Sequence, residues 1–168
     1  MNIKPQMGQL QSPLYLTTLE VTAYILGRLW LAIGVLTYMA RFGSKSKERL
    51  TTCDEKLQKV FNEVIKYVDC SVLEGHRGEE RQNKLFDEGK TKVKYPNGRH
   101  NHKPSRAVDV APYPIDWSDR ERFHLFAGFV LGIARSMDIK LRWGGDWNMN
   151  FEVDDNKFDD FPHFELRE

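Results

Sequence analysis

The chain reads as an α+β fold in which helices flank a small, largely antiparallel sheet, with an N-terminal apolar segment ahead of it. Three observations predict this. Its 168 residues leave room for one core. Stretches of helical period and of strict alternation follow one another without the strand-helix-strand rhythm of a parallel sheet. No phosphate-binding glycine loop joins them. Hydrophobic residues at 40% and aromatic residues at 12% suffice to fill the core. With 25 Lys+Arg against 24 Asp+Glu, the net charge of +1 gives no general field for nucleic acid, so any charged partner must meet a local patch. Two cysteines, Cys53 and Cys70, are too few for a disulfide framework and suit synthesis in a reducing compartment.

The chain divides into residues 1–40 and a domain over residues 41–168. Val21 to Met39 holds fourteen apolar residues in nineteen, but Arg28 interrupts it at a cost of roughly 2.5–3.5 kcal/mol on insertion scales. The uncharged run from Leu29 to Met39 is shorter than a bilayer span. This segment is therefore a transmembrane candidate, or an extension ahead of a start at Met39. A secretory signal fits poorly, because only Lys4 precedes the run as a basic residue and no small-x-small site follows. If the segment did enter a membrane, Arg41, Lys45, Lys47 and Arg49 would keep the domain cytoplasmic.

From Thr52 the spacing of Leu57, Val60, Phe61, Val64, Ile65 and Val68 predicts a packing helix, with Thr52 and Glu55 as its capping box. Cys70 to Glu74 reads as a strand. Gly78 to Gly89 reads as a polar helix with Leu85 and Phe86 inward, and Lys90 to Ser105 as a loop. Arg106 to Ala111 alternates, so Val108 and Val110 share one face while Asp109 takes the other. Pro112 and Pro114 end it. Ser118 and Glu121 predict the start of the longest helix, with Phe123, Phe126, Phe129, Val130 and Ile133 inward to about Ser136. Ile139, Leu141 and Trp143 then alternate as a strand that Gly144-Gly145 breaks. After a loop rich in Asp and Asn, His163 to Leu166 makes a last strand with Phe164 and Leu166 inward and His163 and Glu165 opposite.

Imidazole and carboxylate fall together twice, as His102 with Asp109 and as His163 with Asp160. Zinc takes neutral imidazole nitrogens and carboxylate oxygens, and a catalytic site leaves its fourth position open. His102, Asp109 and His163 supply three such ligands, two of them on strands. His100 offers a second imidazole within reach of the same ion. Asp160, three residues before His163 across a stiff Phe161-Pro162 turn, suits the base that takes a proton from water. Arg77 suits a developing oxyanion or a substrate carboxylate. His76 and His124 read as ordinary structural or surface residues.

Taken together, Arg99-His100-Asn101-His102-Lys103-Pro104-Ser105-Arg106-Ala107-Val108-Asp109 and Asp160-Phe161-Pro162-His163-Phe164-Glu165-Leu166 resemble two motifs of the zinc peptidases of the hedgehog/DD-peptidase type. That group includes D-alanyl-D-alanine carboxypeptidases and phage L-alanyl-D-glutamate endopeptidases. Glu74-Gly75-His76-Arg77 with Gln82 is similar to the upstream Arg segment. Arg142-Trp143-Gly144-Gly145-Asp146-Trp147 is similar to the element before the last ligand in the phage members. The resemblance spans about residues 41–168. It implies one zinc ion on His102, Asp109 and His163, Asp160 as general base, and Arg77 stabilising the transition state. It implies hydrolysis of peptidoglycan stem peptides by a monomer, and the phage-like RWGGDW and DFPHFEL elements favour a phage or prophage endolysin cutting L-Ala-D-Glu, held in the host cytoplasm before lysis and then acting on the wall. His100 and Ser105 depart from the Ser and Gly of the pattern. A D-alanyl-D-alanine carboxypeptidase, and a zinc-stabilised wall-binding module without turnover, remain as alternatives.

Overall fold

The computed structural model describes residues 40–168. The expected apolar extension, with its possible membrane contact at 21–39, lies outside the described residues. Among the described residues no helix is long and apolar enough to cross a membrane.

Helix α1 (Ser44–Thr51) is polar and buries only Leu50, so no apolar period announced it. Helix α2 (Glu55–Val64) buries Leu57, Val60, Phe61 and Val64 along one stripe. Its cap is Asp54, whose carboxylate accepts from the Lys56 N–H, not the expected Thr52. Thr52 is otherwise engaged: its hydroxyl donates to the Arg49 carbonyl and accepts from the His76 N–H. Strand β1 (Cys70–Glu74) lies where alternation put it. Helix α3 (Glu79–Asp87) buries Gln82 and Leu85, while Phe86, expected inward, is exposed. A 3-10 turn at Arg99–Asn101 leads into β2 (Ala107–Pro112).

Helix α4 (Arg120–Ser136) is capped by Asp119 on the Arg122 N–H, because Ser118 turns its hydroxyl to Asp116 instead. It buries Phe123, Phe126, Ala127, Val130 and Ala134. Phe129 and Ile133, expected inward, are only partly buried at the edge of the core. Strand β3 (Leu141–Gly144) and strand β4 (Asp160–Leu166) complete a four-stranded sheet of order β1-β2-β4-β3 with every pairing antiparallel.

One face of this sheet is core. Val72, Val108, Val110, Phe164 and Leu166 join α2 and α4 residues there, and Phe164 meets Phe61 and Phe126 edge to face at 5.5 and 6.1 Å. Burying a side chain of that size contributes about 1.5–3 kcal/mol. Register then fixes the other face, since Asp109 pairs directly with His163 across β2 and β4.

Candidate metal centre

Asp109 and His163 stand side by side because each occupies the outward position of its strand where the two strands pair. The third group, and the second imidazole, is His100. The 3-10 turn brings it in, with Nδ1 2.7 Å from the Gly75 carbonyl, and it is 4% exposed. Two neighbours brace that turn. Asn101 accepts from the Gly98 N–H and donates to the Arg77 carbonyl and to Gln82, while buried Gln82 donates to the Val93 carbonyl.

His102 is not brought into this group. It follows the turn in extended conformation and lies on the exposed surface beside Lys103 and Pro104. The expected set of His102, Asp109 and His163 is therefore corrected to His100, Asp109 and His163 as the three residues whose donor atoms converge. The physical reason is the turn, which points His100 and Asn101 inward and lets the chain leave the site at His102.

The convergence has the chemistry of a cation site. Nε2 of His100 is 3.1 Å from Asp109 Oδ1, Nδ1 of His163 is 3.2 Å from the same oxygen, and the two nitrogens are 3.2 Å apart. A tetrahedral zinc with bonds of ~2.0 Å needs neighbouring ligand atoms about 3.3 Å apart. The other nitrogens name the tautomers. Nδ1 of His100 donates to the Gly75 carbonyl and Nε2 of His163 donates to Glu165 Oε2 at 3.2 Å, so in the neutral rings both inward nitrogens present lone pairs. Three lone pairs aimed at one point repel unless positive charge sits among them.

Charge in the cluster runs the same way. Burial works against the Asp109 carboxylate, but the imidazoles of His100 and His163 overcome it and hold the group far below the usual carboxylate range. Burial also disfavours a charged His163, yet the hydrogen bonds its ring N–H groups donate to Asp109 and Glu165 push it up to about 9. The residues thus draw positive charge to the place where they meet, and they fit a divalent ion.

Arg77 lies against the cluster. Its guanidinium donates to Asp109 Oδ2 at 3.3 Å, to Glu74 at 2.7 Å and to Gln82 at 3.3 Å. Asp160 lines the same cavity of about 490 Å³, which also holds Arg81, Arg99 and Trp147. Burial pushes its carboxyl up, and the nearby Asp109 charge adds to that. Two indoles clamp the chain on either side of it: Trp147 Nε1–H donates to the Phe158 carbonyl and Trp143 Nε1–H to the Phe161 carbonyl, each at 2.7 Å. Gly144 is needed here, because a Cβ would run into the Asp160 carbonyl that pairs with it. The motif of Arg, Trp and glycines on β3 therefore acts as a mould for Asp160.

Sequence reasoning missed Glu165 as part of the site, although alternation put it on the His163 face, and it placed His102 ahead of His100, which it had offered as a second imidazole within reach of the ion. The signal for His100 was its buried neighbourhood, which spacing along a loop does not reveal.

Comparison with known proteins follows the same lines. Residues 38–167 match the family described as phage L-alanyl-D-glutamate peptidase. The L-alanyl-D-glutamate peptidase of Escherichia phage T5 is 30% identical over 120 residues, which are 68% of this chain and 87% of that protein. The crystal structure of the Serratia marcescens L-Ala D-Glu endopeptidase ChiX aligns with a TM-score of 0.61 at 28% identity, covering 77% of this chain and 92% of that one.

Proposed function

The chain belongs to the phage L-alanyl-D-glutamate peptidase family, and from that premise we propose that it is a zinc-dependent endopeptidase cutting the L-Ala–D-Glu amide of peptidoglycan stem peptides. The observation that carries the metal part is the convergence of His100, Asp109 and His163. In this reading the enzyme is a monomeric endolysin that accumulates in the host cytoplasm and meets its substrate at lysis.

His100 Nε2, Asp109 Oδ1 and His163 Nδ1 would hold the ion. Zinc bound there supplies Lewis acidity toward the scissile carbonyl. Asp160 takes a proton from water as the water oxygen bonds to the carbonyl carbon, then returns it to the amide nitrogen as the C–N bond breaks. The products are an L-Ala carboxylate and a free D-Glu amine. A carboxyl raised by burial suits both halves of that exchange, because it accepts a proton at little cost and gives it back. Arg77 grips the second oxygen of Asp109 and leaves a positive charge beside the oxyanion.

The test is mass spectrometry of purified peptidoglycan digested by the full chain, with zinc and with a chelator. New L-Ala carboxyl termini and D-Glu amino termini, dependent on metal, are expected. Loss of one terminal D-Ala would replace this reading by a carboxypeptidase, and no metal-dependent product from folded, metal-loaded protein would replace it by a binding module.

A further inference from the structure

Alternation along β4 puts His163 and Glu165 on one face, two residues apart, and Glu165 is 3% exposed. Its two oxygens are divided. Oε2 faces His163 Nε2 at 3.2 Å, while Oε1 takes Arg142 at 2.7 Å, with Arg167 and Arg99 at 3.7 and 3.8 Å beyond. Arg142 is itself fixed, donating to the Trp147 carbonyl at 3.2 Å and lying 5.1 Å over the Trp147 ring. That ring packs 5.5 Å from the imidazole of His163.

A carboxylate only accepts, so the proton it shares with His163 must sit on Nε2. In the neutral ring Nδ1, which faces Asp109 Oδ1 and His100 Nε2 at 3.2 Å each, is then left bare for a cation, which takes the place that a second proton shared with Asp109 holds in the charged ring. Without an acceptor at Nε2 the ring is free to carry its proton on Nδ1, where it would meet the ion. We infer that Glu165 is a positioning residue for metal binding, fixing His163 in the Nε2–H tautomer, with Arg142 holding the carboxylate in register. The guanidinium groups around it offset the cost of burying the charge. The RWGGDW element thereby serves the metal centre twice, through Asp160 on one side and through Arg142 and Glu165 on the other. This inference rests on the metal-centre reading above.

The test uses the full chain and two readouts besides hydrolysis: zinc affinity by competition with a chromophoric chelator, and the tautomer of His163 from the ¹⁵N shifts of its ring. Glu165→Ala should weaken zinc by about 10–100-fold and release His163 from its single tautomer. Glu165→Gln keeps an acceptor and the shape, and should recover most of the affinity with Nε2 still protonated. If the alanine variant does not fold, the paired change Glu165→Met with Arg142→Met decides instead, since it removes the ion pair without stranding either charge. Wild-type zinc affinity and an unchanged tautomer in whichever of these folds would overturn the inference. So would a Gln variant that falls as far as Ala while keeping its Nδ1 lone pair, because the effect would then be one of charge. Failure of the wild-type chain to bind zinc would strike the metal-centre reading rather than this one.

Discussion

On one face of the sheet Val108, Val110, Phe164 and Leu166 pack with α2 and α4 in a dry core. On the other, one residue along the same strands, Asp109, His163 and Glu165 face a polar cavity. The apolar side needs only volume and shape, and its contacts are many and individually weak. The polar side depends on a few atoms whose distances and protons must be right. The two sides should therefore fail differently: losses on the first lower stability with metal still bound by the folded fraction, and losses on the second remove metal, turnover or both from a folded protein.

The sharpest break comes from the two neighbouring histidines. His100→Ala should lose tight zinc binding and bring peptidoglycan hydrolysis to background, while His102→Ala keeps both, as read by metal content and release of D-Glu amino termini. The reverse result would return His102 to the centre. Next, Asp160→Asn should retain zinc and lower kcat by about 10²–10⁴-fold, the range of a positioned acid–base group. Normal turnover in that variant would remove the base role.

The opposite face is tested by Phe164→Ala, expected to cost about 3–5 kcal/mol in denaturant unfolding, with zinc affinity unchanged in the protein that remains folded. An intermediate effect on both readouts would mean that the faces are coupled through β4. The smallest effect belongs to the buried thiols. Burial pushes Cys53 and Cys70 up from 9.0 to about 12. In the unfolded chain they ionise near the lower value, so stability is untouched below pH ~9 and declines as the pH rises from there toward 12. Replacing both by Ala should flatten that alkaline decline in pH-dependent denaturation.

Much of this was legible beforehand. The period of two in Arg106 to Ala111 and in His163 to Leu166 was enough to put Asp109, His163 and Glu165 away from the valines and Phe164. Helix α1 was not legible, because a polar helix that buries a single leucine carries no apolar stripe. The caps were off by one or two residues, since Thr52 and Ser118 spend their hydroxyls on other partners. Gln82 shows the same limit, for a glutamine on a polar helix gives no sign that it will be fully buried as the brace of a loop from another part of the chain.

Apart from α1, the order of strands and helices, the face each strand turns to the core, and the kinds of groups assembled on the opposite face follow from residue spacing, because backbone geometry repeats every two residues in a strand and every 3.6 in a helix. The choice between His100 and His102 does not, because a loop has no such repeat. It was made by contacts distant in sequence: the Gly75 carbonyl that receives His100 Nδ1, and the Gln82 and Asn101 amides that brace the turn. The tautomer of His163 was likewise settled by Glu165 and Arg142, which meet only when β3 and β4 pair.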